Sequence, residues 1–261
     1  MVRRAAVIAL TVGGSDSGGG AGIQADLKTF HTFGVFGTTA ITCITAQNPA
    51  QVSDVQALKP RLVAAQLDRI FEAFRVGGAK TGMLYDAEII ETVAHNFARR
   101  KFKRLVVDPV MVASSGAVLL KKDAIAALQT KLFSQAAVVT PNLAEAKVLG
   151  GRSIRTIEDL RDSAWALADR YGVPFLVKGG HLPRAERAVD VLFDGTSFHV
   201  FRASIVPNVR THGTGCAFSA AIAANLALGH DLLDSILRAK RFVTAAIRNS
   251  LKVGAHFALK I

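Results

Sequence analysis

The residues best suited to chemistry in this chain fall in short glycine-rich or polar runs. Thr211-His212-Gly213-Thr214-Gly215-Cys216 leads into an apolar segment with helical spacing. Its two glycines let a ligand approach the backbone, and a helix start presents unpaired N–H groups at the positive end of the dipole. That combination suits a phosphate. The same position is expected to lower the pKa of Cys216 and favour its thiolate. A sulfur there can take a proton from an attacking hydroxyl while the N–H groups hold a transferring phosphoryl group. A plain glycine-rich helix start with a packed cysteine accounts for this run equally well when it is taken alone.

Other runs bear on the choice. In Thr140-Pro141-Asn142-Leu143-Ala144-Glu145, Asn142 can cap a helix and Glu145 can complete a capping box. Alternatively, the pair can organise Mg²⁺ and its waters beside nucleotide phosphates. Lys178-Gly179-Gly180-His181 supplies a cation on a flexible backbone. Near the N-terminus, Gly13-Gly14-Ser15-Asp16-Ser17-Gly18-Gly19-Gly20-Ala21-Gly22 lacks the spacing of a dinucleotide fingerprint, and no GKS or GKT marks a P-loop.

Elements that would position these runs alternate along the chain. Residues 5–12, 37–44, 79–81, 104–108, 137–140 and 175–177 read as strands, and 189–193 with 197–201 as a hairpin about Asp194-Gly195. Residues 21–33, 60–74, 87–97, 143–149, 157–171 and 216–228 have helical spacing, and 231–250 reads as one or two helices. Such alternation predicts a mostly parallel sheet covered on both faces, with ligands beyond the carboxyl ends of its strands. The Asn142, Lys178 and N-terminal runs each follow a strand. No repeat or linker divides the 261 residues, so one domain over 1–261 is expected.

Composition narrows the function classes. Half the residues are hydrophobic and mean hydropathy is +0.31, yet no apolar run approaches the roughly 18–20 residues of a membrane span. The run after Arg3-Arg4 is too short for a secretion signal. Cys43 and Cys216 lie far apart, which points to a reducing compartment. The net charge of +12 is spread in ones, twos and short clusters, favouring anionic small ligands over nucleic acid.

The ordered set of runs resembles a known family, the hydroxymethylpyrimidine/phosphomethylpyrimidine kinases of the ribokinase superfamily. The likeness rests on Gly14-Ser15-Asp16-Ser17-Gly18-Gly19-Gly20-Ala21-Gly22-Ile23-Gln24-Ala25-Asp26, Thr45-Ala46-Gln47-Asn48, Lys80-Thr81-Gly82-Met83-Leu84, Asp108-Pro109-Val110-Met111-Val112, and the runs at 140–146, 178–181 and 212–216. It implies a ribokinase-like three-layer αβα sandwich, ATP and Mg²⁺, and two successive phosphorylations of 4-amino-5-hydroxymethyl-2-methylpyrimidine. It also implies a homodimer in the cytoplasm. By that resemblance Gly14, Asp26, Gln47, Met83 and Val110 line the pyrimidine pocket together with Cys216, the candidate base. Gly213 and Gly215 form the anion hole, Lys178 lies near the phosphates, and Thr140, Asn142, Glu145 and Thr214 serve the nucleotide. Asn142 and Glu145 are the metal candidates, acting through water.

Residues 113–117 and the C-terminal Val253-Gly254-Ala255-His256-Phe257-Ala258 depart from the family pattern. The same resemblance leaves a pyridoxal kinase of vitamin B6 salvage as the nearest alternative, and a non-catalytic ligand-binding protein as a more distant one. The amide of Gln47, at once donor and acceptor, favours an aminopyrimidine.

Overall fold

A computed structural model describes residues 5–111, 120, 122–180, 182, 187–207, 209 and 211–261. The sequence features at Arg3-Arg4, Val112, residues 113–117 and His181 lie outside that set. The expected alternation forms: β1 (Ile8–Asp16), α1 (Gly22–Thr32), β2 (Phe36–Gln47), β3 (Val52–Ala57), α2 (Pro60–Ala73), β4 (Val76–Thr81), α3 (Ala87–Arg99) and β5 (Leu105–Val107). There follow α4 (Lys122–Ala127), β6 (Val138–Val139), α5 (Leu143–Gly150), α6 (Ile157–Tyr171) and β7 (Phe175–Lys178). The remainder comprises β8 (Arg187–Phe193), β9 (Phe198–Ser204), β10 (Thr211–His212), α7 (Thr214–Ala227), α8 (Leu232–Arg248), β11 (Leu251–Val253) and β12 (His256–Ala258).

Nine strands form the main sheet in the order β3-β2-β1-β4-β5-β6-β7-β8-β9. From β2 to β7 all neighbours run parallel, while β3 at one edge and β8 and β9 at the other are antiparallel. Strand alternation divides the core. Leu10, Val12, Ala79 and Val107 face one way and pack with α2 to α6, whereas Ala9, Val106 and Leu176 face α1, α7 and α8. The result is the three-layer αβα sandwich expected. Among the described residues no helix is long and apolar enough to cross a membrane.

Two departures bear on function. β1 does not stop at Val12 but runs on through Gly13 and Gly14, because Ser15 and Asp16 still pair with Ile44 and Thr45 of β2 beyond a register shift. A small second sheet, β10-β12-β11, was not anticipated. In it the C-terminal β12 lies parallel to β10, pairing Phe257 with Thr211 and Ala258 with His212. Strands of two or three residues carry too little alternation to be read from sequence.

Helix α7 is buried along its whole length from Ala217 to Ala227. Alanine at most of these positions lets it sit directly on the sheet, and Gly77 and Gly78 of β4 remove the side chains that would hold it off. A Cβ at Gly78 would lie 2.4 Å from Ala223 O and 3.0 Å from Ala227 N. Gly78→Ala should therefore push the helix off its strand and cost about 1–3 kcal/mol in urea unfolding. An unchanged midpoint would show that α7 has room to rise.

Candidate active site

The chain leaves β1 toward β2 and returns to β4 on the other side of β1, so strand order reverses there. Open parallel sheets bind ligands at such a reversal. A cavity of about 910 Å³ lies here, floored by Gly13, Gly14, Gly82 and Met83 and walled by the start of α7. It extends to an apolar end containing Val206, Val209, Val243, Ile247 and Phe257. Gly14 is bare for a reason: a Cβ would meet Cys43 Sγ at 2.8 Å, closer than real Cβ atoms come.

Asp26 of α1 and Lys80 of β4 form a fully buried ion pair with Nζ–Oδ2 at 2.8 Å, and Thr11 Oγ1 donates to the same carboxylate at 2.6 Å. Burial opposes the Lys80 charge most strongly, but the surrounding acidic groups, Asp26 foremost, together outweigh it and raise the ammonium above its ordinary pKa. The pair is held beside Cys216. Burial pushes the Cys216 thiol up to about 11, opposed by Lys80 and by the Gly22 N–H at the sulfur. This reverses the lowered pKa expected from the helix start: loss of water around the sulfur outweighs the local positive field. At neutral pH the resting group is the thiol.

A second charged group surrounds Asp108, just after β5. Lys178 Nζ lies 2.9 Å from its Oδ1, and Ser219 of α7 donates to Oδ2 at 2.9 Å. Lys178 also reaches the α7 start, since a Cβ on Gly215 would sit 3.5 Å from Nζ. Asn142 and Glu145 complete the capping box read from sequence, Asn142 Oδ1 accepting Glu145 N at 3.0 Å and Glu145 Oε2 accepting Asn142 N at 2.8 Å. Glu145 faces the cavity as well. Burial raises its carboxyl to about 7, with Lys178 opposing and Asp108 adding to the rise.

The glycine-rich turn after β1 is organised by Asp16, whose carboxylate accepts the N–H groups of Gly18, Gly20 and Ala21. Burial works against its charge, yet the hydrogen bond to His212 and these N–H donors hold it below the usual carboxylate range. The turn then abuts the loop before α7: Gly213 has φ of +81°, and a Cβ there would fall 1.8 Å from Gly20 O. Only glycine fits.

A family profile for phosphomethylpyrimidine kinase matches residues 16–259. The chain belongs to the phosphomethylpyrimidine kinase family. The hydroxymethylpyrimidine/phosphomethylpyrimidine kinase of Synechococcus elongatus is 47% identical over 247 residues, covering 95% of this chain and 94% of that protein. The thiamine biosynthesis bifunctional protein ThiED of Geobacter sulfurreducens is 46% identical over 245 residues; they cover 94% of this chain but only 50% of the bifunctional protein. Among solved structures, an ADP complex of Bacillus subtilis pyridoxal kinase superposes with a TM-score of 0.89 at 37% identity, covering 98% of this chain and 97% of that one.

In this phosphomethylpyrimidine kinase family fold, the residues singled out from sequence converge. Gly14, Asp26, Gln47, Met83, Val110, Asn142, Glu145, Lys178, Gly213, Thr214, Gly215 and Cys216 all line the cavity. Thr140 is fully buried, and its hydroxyl lies 3.4 Å from Asp108. Asp26 also accepts hydrogen bonds from Lys80 and Thr11. Four residues that hold the site were missed: Lys80, Asp108, Ser219 and His212. Lys80 had a signal, a charged residue inside a buried strand, which requires a partner. The apolar end around Val243 and Ile247 had none, because its residues come from separate elements.

Among the described residues no group of three or more His, Cys, Asp or Glu side chains clusters as a metal site. The negative charge around Asp108 and Glu145 nevertheless fits a hydrated divalent cation, which takes one or two carboxylates and completes its shell with water and phosphate oxygens. Between pH 4.5, the ordinary value for Glu145, and about 7, the folded chain binds more protons at this carboxyl than the unfolded chain does. Stability from this group is full at low pH and lost as pH rises through that window. In Glu145→Gln the fall should flatten when urea midpoints at pH 5 and 7.5 are compared. An unchanged slope would place the titration elsewhere.

Proposed function

We propose that this protein transfers the γ-phosphoryl group of ATP to the hydroxymethyl group of 4-amino-5-hydroxymethyl-2-methylpyrimidine, and then phosphorylates the monophosphate, in thiamin biosynthesis. Family membership makes it a phosphotransferase acting on a small molecule with ATP as co-substrate. One observation carries the finer reading. The Cys216 side chain, the Gly213–Gly215 backbone and the cation Lys178 line one cavity together with the strand-end residues Gly14, Gln47, Met83 and Val110, and Lys178 Nζ reaches the α7 start at Gly215.

Each side chain then has a task. Met83 and Val110 give apolar walls to a flat ring, and Gln47 offers a donor and an acceptor to its nitrogen and amine. The α7 N–H groups and Lys178 neutralise charge that builds on the transferring group, which suits a loose phosphoryl transition state. Cys216 receives the hydroxyl proton, with Lys80 stabilising the thiolate that does so. The purine fits the apolar end beside Val243 and Ile247, and Thr140 acts from behind the phosphate site through Asp108. Asn142 and Glu145 would hold Mg²⁺ through water, supplying a counter-charge to the nucleotide phosphates. Residues 1–261 act as one kinase domain in the cytoplasm. Association as a homodimer has support in the exposed Phe36 and Phe74, whose ring centroids lie 6.0 Å apart at the start of β2.

A pyridoxine-directed activity is the second reading, favoured by the close superposition on a pyridoxal kinase. The two separate when ATP- and Mg²⁺-dependent phosphorylation of hydroxymethylpyrimidine and pyridoxine is followed side by side. Diphosphate formation on the pyrimidine is expected, and a preference for pyridoxine would overturn the thiamin assignment. Cys216→Ala should keep ATP binding while kcat drops by at least about a hundredfold, the scale of a lost general base. Because the resting thiol must lose its proton, wild-type kcat should rise with pH through the neutral range. Near-normal turnover of the alanine variant would remove Cys216 from the proton path.

A further inference from the structure

His212 joins three segments of the site. Its backbone belongs to β10, directly before Gly213 of the anion hole, and is paired with Ala258 of β12. Its Nε2 lies 3.3 Å from Asp16 Oδ2 in the glycine-rich turn and 3.1 Å from the Gln47 side-chain amide at the end of β2. The other ring nitrogen, Nδ1, is buried and has no hydrogen-bond partner among the described residues.

These contacts fix where the ring proton sits. A bare Nε2 would set a lone pair against the Asp16 carboxylate and bury an unpaired N–H at Nδ1, and both cost free energy. With the proton on Nε2 the carboxylate is satisfied, and only a lone pair is left buried at Nδ1. The charged ring would likewise carry a proton on Nε2, facing Asp16. An Nε2–H cannot accept from the Gln47 NH₂, so the amide must turn its carbonyl oxygen to His212. An amide turns over without moving any heavy atom out of place. The NH₂ then falls on the site 3.3 Å from Thr45 Oγ1. Thr45 already spends its own proton on Ser15 O at 2.9 Å, so its oxygen is free to accept. Asp16, Thr45 and the Gln47 amide then have partners, the single Nε2–H being shared between the two oxygens, and one amide N–H and one carbonyl lone pair remain for the cavity, in a fixed order.

We propose that His212 is a positioning residue that locks the Gln47 amide in one direction and so sets the preference for an aminopyrimidine over a pyridine alcohol. This rests on the reading of Gln47 as the group that meets the substrate ring. An acceptor ring nitrogen beside an exocyclic amine matches an amide of one orientation only, whereas a pyridine edge without the amine gains little from the lock. His212 therefore acts on which ring binds and leaves the chemistry to the neighbouring loop.

The test uses the full-length protein with His212→Phe, His212→Gln and Gln47→Leu. Steady-state rates are measured for hydroxymethylpyrimidine, with pyridoxine as substrate or competitor, at varied ATP. His212→Phe should raise the pyrimidine KM about tenfold, the scale of one misdirected hydrogen bond, with the constants for ATP and pyridoxine unchanged. His212→Gln, which can offer an amide N–H in place of the ring N–H, should recover most of that loss. Ring ¹⁵N NMR on the wild-type protein and on His212→Gln should place the wild-type His212 proton on Nε2. A bare Nε2, or equal KM increases for pyrimidine, pyridoxine and ATP in His212→Phe, would overturn the proposal. If Gln47→Leu raises the pyrimidine KM and His212→Phe does not, only the role of His212 falls. If Gln47→Leu leaves that KM untouched, the reading of Gln47 fails and this inference with it.

Discussion

The site depends on one packing constraint, the seating of a fully buried alanine-rich helix on the glycine backbone of a central strand. Helix α7 has no exposed face on which to slide, and Gly77 and Gly78 bring its backbone against β4. Its N-terminus is thereby fixed over the strand ends where the chain reverses direction. A helix terminus on a loose surface element would offer the same N–H groups but not the same place for them. The start of α7 is held firmly because the layer beneath it is close-packed.

Charges are arranged on that rigid frame in two buried groups. Asp26 and Lys80 lie on the α1 side next to Cys216, and Asp108, Lys178 and Glu145 lie nearer the edge where β6 and β7 end. Buried ion pairs contribute little net stability and are expensive to break. Their retention is easier to understand as positioning. Lys80 has both hydrogen-bonding contacts to Asp26 inside the protein, so it influences the sulfur from a fixed distance. Lys178 is paired with Asp108 and also lines the cavity, so its charge is held at the cavity wall.

Long periodic segments and strand-end motifs were legible in the sequence, since each carries its signal locally. The alternation gave the sandwich, and the order of motifs placed most of the cavity lining. Three kinds of feature were not legible. Short pairings such as β10 with β12 have no local pattern. Residues whose role is to hold another, such as Lys80, Asp108 and Ser219, act through partners distant in sequence. The pKa of Cys216 was misjudged because a helix start is visible in the sequence and the desolvation of its sulfur is not. Asn142 and Glu145 form the cap that was read structurally, and the same carboxyl faces the cavity, so the structural and functional readings of this pair are compatible.

The pairing of β12 with β10 ties the loop before Gly213 to residues met far later along the chain. Ribosomal synthesis delivers the sheet, the strand-end pocket and α7 before that brace exists. A nascent chain can therefore be folded in most of its layers while the loop before Gly213 still lacks its neighbour. Mechanical load on the far end of the polypeptide, from a fused partner or a tether, would be transmitted through two ladder positions directly to His212. In this architecture β12 is structurally part of the loop that precedes Gly213.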